Sequence, residues 1–140
     1  MEKGIILSDS KYYSESNISG WHKIDAREFF IETPKEYKFI VFEGIDSYVG
    51  GFTNKKDTIF FDYGLYSNTL TDLSPSDYEF QNILIDCKNF RIVIRQNEVQ
   101  HVAAYTNELD NGNTFMIECF DCQDLEEKHK IIQTIEFKKK

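Results

Sequence analysis

The segment Asp110-Asn-Gly-Asn113 constrains this chain more than any other. Asn-Gly accepts the positive φ that a tight hairpin demands, and apolar runs flank it on both sides. Upstream, Val99–Thr106 reads as a strand; downstream, Thr114–Phe120 returns antiparallel to it. Before them, Phe90, Ile92 and Ile94 alternate with Arg91 and Arg95, the period-two signature of a strand with one buried face. The pattern predicts an antiparallel three-strand meander over residues 90–120.

The first half reads as β-rich but less regular. Residues 1–20 are polar, with Ser8, Ser10, Ser14, Ser16 and Ser19, and read as an N-terminal arm or loosely docked strand. The folded body is expected over 21–140, as a single domain. Phe29-Phe-Ile31 runs into Thr33-Pro34, where proline holds the preceding residue extended. Tyr37–Phe42, Tyr48-Val49 and Thr58–Phe61 are rich in β-formers, and Gly50-Gly51 and Asn54–Asp57 punctuate them. Residues 64–77 carry Gly, Ser, Asn, Thr, Asp and Pro75, which reads as a long loop of the kind that often carries function.

The chain closes with a helix. Asp124 is placed to cap it, with Glu127 completing a capping box, and Leu125, Ile132 and Ile135 share one face with Ile131 beside them. The expected fold class is therefore α+β: a central antiparallel sheet ending in the three-strand meander and covered by the C-terminal helix. At 140 residues, folding buries roughly two thirds of the extended-chain surface, so no cofactor, metal or disulfide is required to hold the fold.

Two segments carry a resemblance. Gly44-Ile-Asp-Ser-Tyr-Val-Gly50 followed by Phe61-Asp-Tyr-Gly-Leu-Tyr-Ser67 resembles small bacterial proteins of unassigned function with GIDSYVG and FDYG-x-YS segments. The order of elements over about residues 21–137 in turn looks like the PsbP-type α+β fold. That likeness implies a binder that docks on a partner, as members of that fold do on photosystem, transport or secretion components. The bacterial proteins it resembles carry a leader. The chain as written reads as cytoplasmic, or as periplasmic or lipid-anchored if a leader has been removed.

Charge narrows the partners. Sixteen basic residues against 24 acidic ones leave a formal net charge of −8. A field of that sign repels phosphate backbones and anionic lipid, which disfavours nucleic acid and membrane surfaces and favours a basic protein or a cation. No apolar run approaches the roughly 18–20 residues of a transmembrane helix.

The acid- and tyrosine-rich region is the main candidate surface: Asp46, Ser47, Tyr48, Asp62, Tyr63, Tyr66 and Ser67 line one face if their segments pair as neighbouring strands. Carboxylates with hydroxyls suit a cation or a basic group, and tyrosines suit interfaces because an apolar body carries a polar tip. Against this, Asp and Gly make turns and Tyr caps cores. Cys119-Phe-Asp-Cys122 has the spacing of a thiol pair at a helix start, yet parity puts Cys119 on the core face and Glu118 and Asp121 are acidic neighbours. A zinc site would need further ligands, such as Cys87 with His101 or His129, and no second paired motif exists. No nucleophile elbow, phosphate-binding loop or dinucleotide fingerprint occurs.

The expected function is a non-enzymatic binding or interaction module for a protein or small ligand. One variant is an acidic inhibitor or immunity-type protein directed at a basic toxin. A thiol redox protein built on Cys119 and Cys122 is the alternative class.

Overall fold

The computed structural model describes residues 4–42, 47–65 and 67–139. The strands are β1 (Ile5–Leu7), β2 (Tyr13–Glu15), β3 (Trp21–Asp25), β4 (Phe29–Pro34), β5 (Lys38–Phe42) and β6 (Ser47–Thr53). They continue as β7 (Thr58–Gly64), β8 (Glu79–Ile85), β9 (Lys88–Arg95), β10 (His101–Thr106), β11 (Thr114–Phe120) and β12 (Glu136–Phe137), with one α-helix, α1 (Leu125–Gln133), among the described residues. An eight-stranded sheet runs β1-β5-β6-β7-β11-β10-β9-β8, and a four-stranded sheet runs β12-β4-β3-β2. Every pairing is antiparallel.

This overturns the α+β, helix-covered, PsbP-like arrangement expected from the sequence: the protein is mostly β, with 50% strand and 9% helix. The meander is present as β9, β10 and β11, but it is the middle of a wider sheet. The second sheet, not the helix, supplies the central packing on the inner face. Phe29 of β4 sets its ring 5.0 Å from Phe61 of β7 and 5.0 Å from Phe115 of β11, both edge-on. Phe52 and Phe137 lie 6.2 and 6.1 Å from the same ring. The side chains obey the strand period: Ile24, Phe29, Ile31, Phe39, Phe52, Ile59, Phe90, Ile92, Phe115 and Ile117 are all fully buried. Helix α1 adds Ile131 and Ile132 to the same core.

The polar N-terminal arm contributes an edge strand to each sheet, β1 and β2. Tyr13 ties it down: its hydroxyl donates to the Leu7 carbonyl and accepts from Phe39 N at 3.0 Å.

The order of strands creates the outer face. From β7 the chain crosses to the far edge, forms β8, and meanders back through β9 and β10 until β11 meets β7. The crossing segment lays Leu70, Leu73 and Tyr78 over Val93, Ala103, Tyr105 and Met116. That cover explains why β10 is buried on both faces, with Val102, Ala103 and Ala104 at 0% exposure. Over β5, β6 and β7 the described residues leave the outer face open, with Phe60 44% exposed.

Candidate functional site

β6 and β7 are direct neighbours, with Tyr48 opposite Tyr63 and Val49 opposite Asp62. Because side chains alternate across a strand, this register splits the candidate residues between two faces. Tyr48 and Tyr63 point inward. The Tyr48 ring packs edge-on against Phe61 at 5.1 Å, and its hydroxyl donates to the Ala26 carbonyl at 3.0 Å, linking the two sheets. Burial pushes its phenol well above the usual tyrosine range. Tyr63 is 8% exposed, and its hydroxyl accepts from Asn111 Nδ2 at 2.8 Å. Ser67 is buried; its hydroxyl donates to the Asp62 carbonyl at 3.0 Å and its N–H to Thr114 Oγ1 at 3.1 Å. Asp46 and Tyr66 lie outside the described residues.

Asp62 and Ser47 belong to the opposite, outer face. There Asp62 lies in a groove of about 520 Å³ lined by Phe42, Val49, Gly50, Phe60, Phe61 and Met116. Across the β7–β11 pair Met116 stands directly opposite Asp62. The rings of Phe42 and Phe60 sit 5.5 Å apart, and Phe60 is 44% exposed. The glycines keep this stretch thin: a Cβ on Gly51 would stand 2.4 Å from the Ile59 carbonyl oxygen, so only glycine lets β6 and β7 approach as they do. In this apolar setting Asp62 Oδ1 is buried with no hydrogen-bond partner among the described residues. An unmet buried acceptor costs about 1–3 kcal/mol, so such a group calls for an explanation.

Next along the same face is a network that sequence reasoning missed. His101 is 5% exposed, with Tyr78 OH at 2.8 Å from Nδ1 and Glu118 Oε1 at 2.9 Å from Nε2. A carboxylate can only accept, so Nε2 carries a proton and, in the neutral ring, Nδ1 accepts from Tyr78. Both ring nitrogens are thus occupied in anchoring the end of the crossing segment to the sheet. The sequence signal was slight: His101 and Glu118 fall on one face only once the β10–β11 register is known. Among the described residues no group of three or more His, Cys, Asp or Glu side chains is arranged to hold a metal ion.

The thiol pair sits elsewhere, within the main core. Cys119 is fully buried and Cys122 is 4% exposed, its Sγ donating to the Cys119 carbonyl at 3.2 Å. All three cysteines are free. Contact with the Cys122 thiol and burial together push the Cys119 thiol far up, and the nearby Asp57 carboxylate adds to this. A buried thiol of raised pKa is a poor nucleophile. Under native conditions at pH 7.5, iodoacetamide is expected to modify exposed Cys87 first. Cys119 and Cys122 should react at least ~10²-fold more slowly, read by mass spectrometry of tryptic peptides. Equal rates would return the thiol pair to consideration.

No helix among the described residues is long and apolar enough to cross a membrane. No family model, curated protein or solved structure matches the chain.

Proposed function

We propose that the protein is a non-enzymatic binding module whose recognition surface is the open groove on the outer face of β5, β6 and β7. The observation that carries this reading is the buried Asp62 Oδ1, without a hydrogen-bond partner among the described residues, at the floor of an apolar groove. Such a site complements a ligand with an apolar stem and one hydrogen-bond donor, and a protonated amine supplies both the donor and the opposite charge. The lysine side chain of a basic partner protein has this chemistry, as does a small alkylamine. The net charge of −8 favours the approach of either.

The test is calorimetric titration with decylammonium against decanoate, two probes of equal chain length and opposite charge. The ammonium is expected to bind and the carboxylate to bind at least ~10-fold more weakly. Asp62→Ala should abolish that preference, and Phe60→Ala should weaken both probes. Equal affinity of the wild type for both probes, or a preference that survives in Asp62→Ala, would remove Asp62 from the site.

A further inference from the structure

β8 is the outermost strand of the eight-stranded sheet and pairs only with β9. Their hairpin closes through Asp86 and Cys87, both left-handed with φ of 52° and 63°, so that Ile85 stands opposite Lys88. In a two-residue hairpin of this kind the flanking residues exchange both hydrogen bonds, and bonded pairs alternate from there. Ile85, Ile83, Gln81 and Glu79 therefore turn their backbone groups toward β9. Phe80, Asn82 and Leu84 turn theirs to the open edge. The side chains of these same three residues share the outer face, where Phe80 is 42% and Leu84 70% exposed.

Proteins usually blunt such an edge by shortness, proline, lysine or a bulge. β1 and β2 have three residues each and β12 has two. β8 has seven, in unbroken register with β9, and its only charge is Glu79 at one end.

We propose that β8 pairs antiparallel with β8 of a second copy of this chain, across a two-fold axis through Asn82. In that register Asn82 faces the Asn82 of the copy, Phe80 faces its Leu84, and Gln81 faces its Ile83. Each outward N–H and C=O of Phe80, Asn82 and Leu84 then meets a complementary group. Moving the axis by half a residue would set outward backbone groups against ones already bonded to β9, and moving it by one residue, to Gln81 or Ile83, would set Asn82 opposite Phe80 or Leu84 of the copy. Moving it by two residues would leave Phe80 or Leu84 without its apolar mate. Glu79 faces Ile85 of the copy, so no like charges oppose one another along the strand. The occupant is a second copy because the pattern Phe80-x-Asn82-x-Leu84 is its own antiparallel complement, as a two-fold interface requires. The Asp62 groove lies toward the other end of the sheet and stays open in this dimer.

Sedimentation velocity of the full chain tests this, at a salt concentration of about 0.15 M so that charges are screened beyond about 8 Å. The wild type is expected to pass from monomer to dimer between micromolar and millimolar concentration. Asn82→Pro removes the N–H at the axis, and an edge strand tolerates proline whose missing N–H would face solvent. Leu84→Lys places a charge opposite Phe80 at an already exposed position. Each should weaken association at least ~10-fold while leaving the circular dichroism spectrum unchanged. To locate the axis, Asn82→Cys in a Cys87→Ser background should form a disulfide-linked dimer under mild oxidation. Cα atoms of a hydrogen-bonded antiparallel pair lie about 5.5 Å apart, within disulfide reach. Gln81→Cys in the same background should not cross-link. A wild type that stays monomeric throughout overturns the proposal. So does a dimer that withstands Leu84→Lys, or Gln81→Cys cross-linking as fast as Asn82→Cys.

Discussion

Phe29→Ala is expected to lower the unfolding free energy by about 3–5 kcal/mol, the range for deleting a fully buried aromatic ring. Phe29 is 0% exposed and is the point at which the smaller sheet meets the larger one. Its ring touches Phe61 and Phe115 edge-on, so the change removes transfer free energy and leaves a cavity that the two sheets cannot close without moving together. Urea unfolding should show a lower midpoint with an unchanged slope. Phe120→Ala serves as the control: that ring is 60% exposed, and its loss should stay within about 0.5 kcal/mol, as for other exposed sites. A cost for Phe29→Ala no larger than the control's would mean that the sheets do not pack through this ring.

Asp57→Ala is expected to cost a similar amount, about 3–5 kcal/mol, for a different reason: it takes from a buried charge its nearer and more deeply buried partner. Lys128 is 2% exposed on the packed face of α1, and its Nζ lies 3.0 Å from Asp57 Oδ2. The Asp57 carboxylate also accepts from Gln123 N at 3.2 Å. Tyr37, fully buried, donates from its hydroxyl to Glu127 Oε1 at 3.0 Å, and Lys128 lies 3.3 Å from the same oxygen. The double variant Asp57→Ala/Lys128→Met should recover most of the loss, because it removes the buried charge along with its nearer partner. Burial alone would lower the Lys128 pKa, but Tyr37 and Asp57 outweigh it and the net direction is upward. The sign follows from linkage: a lysine raised on folding contributes its stability in full below the unfolded value of about 10.4, and loses it as pH climbs through the folded value. The gap between wild type and Asp57→Ala should accordingly hold steady from about pH 6 to 9 and narrow only in strong alkali. A double variant no more stable than the single would show that the pair is not energetically coupled.

The β8 edge shows why the sequence pattern points to fewer strands than the fold contains. Glu79-Phe-Gln-Asn-Ile-Leu-Ile85 places apolar residues on both faces with Gln and Asn between them, so no clean alternation marks it as a strand. Its turn uses Asp86-Cys87 in place of Asn-Gly, although both residues adopt the positive φ that the turn needs. β1, β2 and β12 are too short to show any period and exist because a neighbouring strand offers them hydrogen bonds. The helix start was legible, since Asp124 Oδ1 does accept from Glu127 N at 3.1 Å. The rest of the box was not, because the Glu127 carboxylate accepts from Tyr37 instead.

What the amino-acid order determined by itself was local: the three-strand meander, the start of α1, and the inward side of Cys119. Each depends on a repeat of two or 3.6 residues, or on a capping preference, that the chain expresses without a partner. The Asn-Gly pair does not close a tight hairpin, because Thr106 and Phe115 are the last paired residues of β10 and β11 and only Gly112 takes a positive φ in the loop between them. Register between distant strands decided the rest. It turned Tyr48 inward and Asp62 outward on paired strands, and it brought His101 to Glu118 and Lys128 to Asp57. Among the described residues it also left the outer face of β5, β6 and β7 uncovered. A one-residue slip would reverse every one of those side chains, and only the packing of the two sheets against each other selects the register in which the phenylalanines meet.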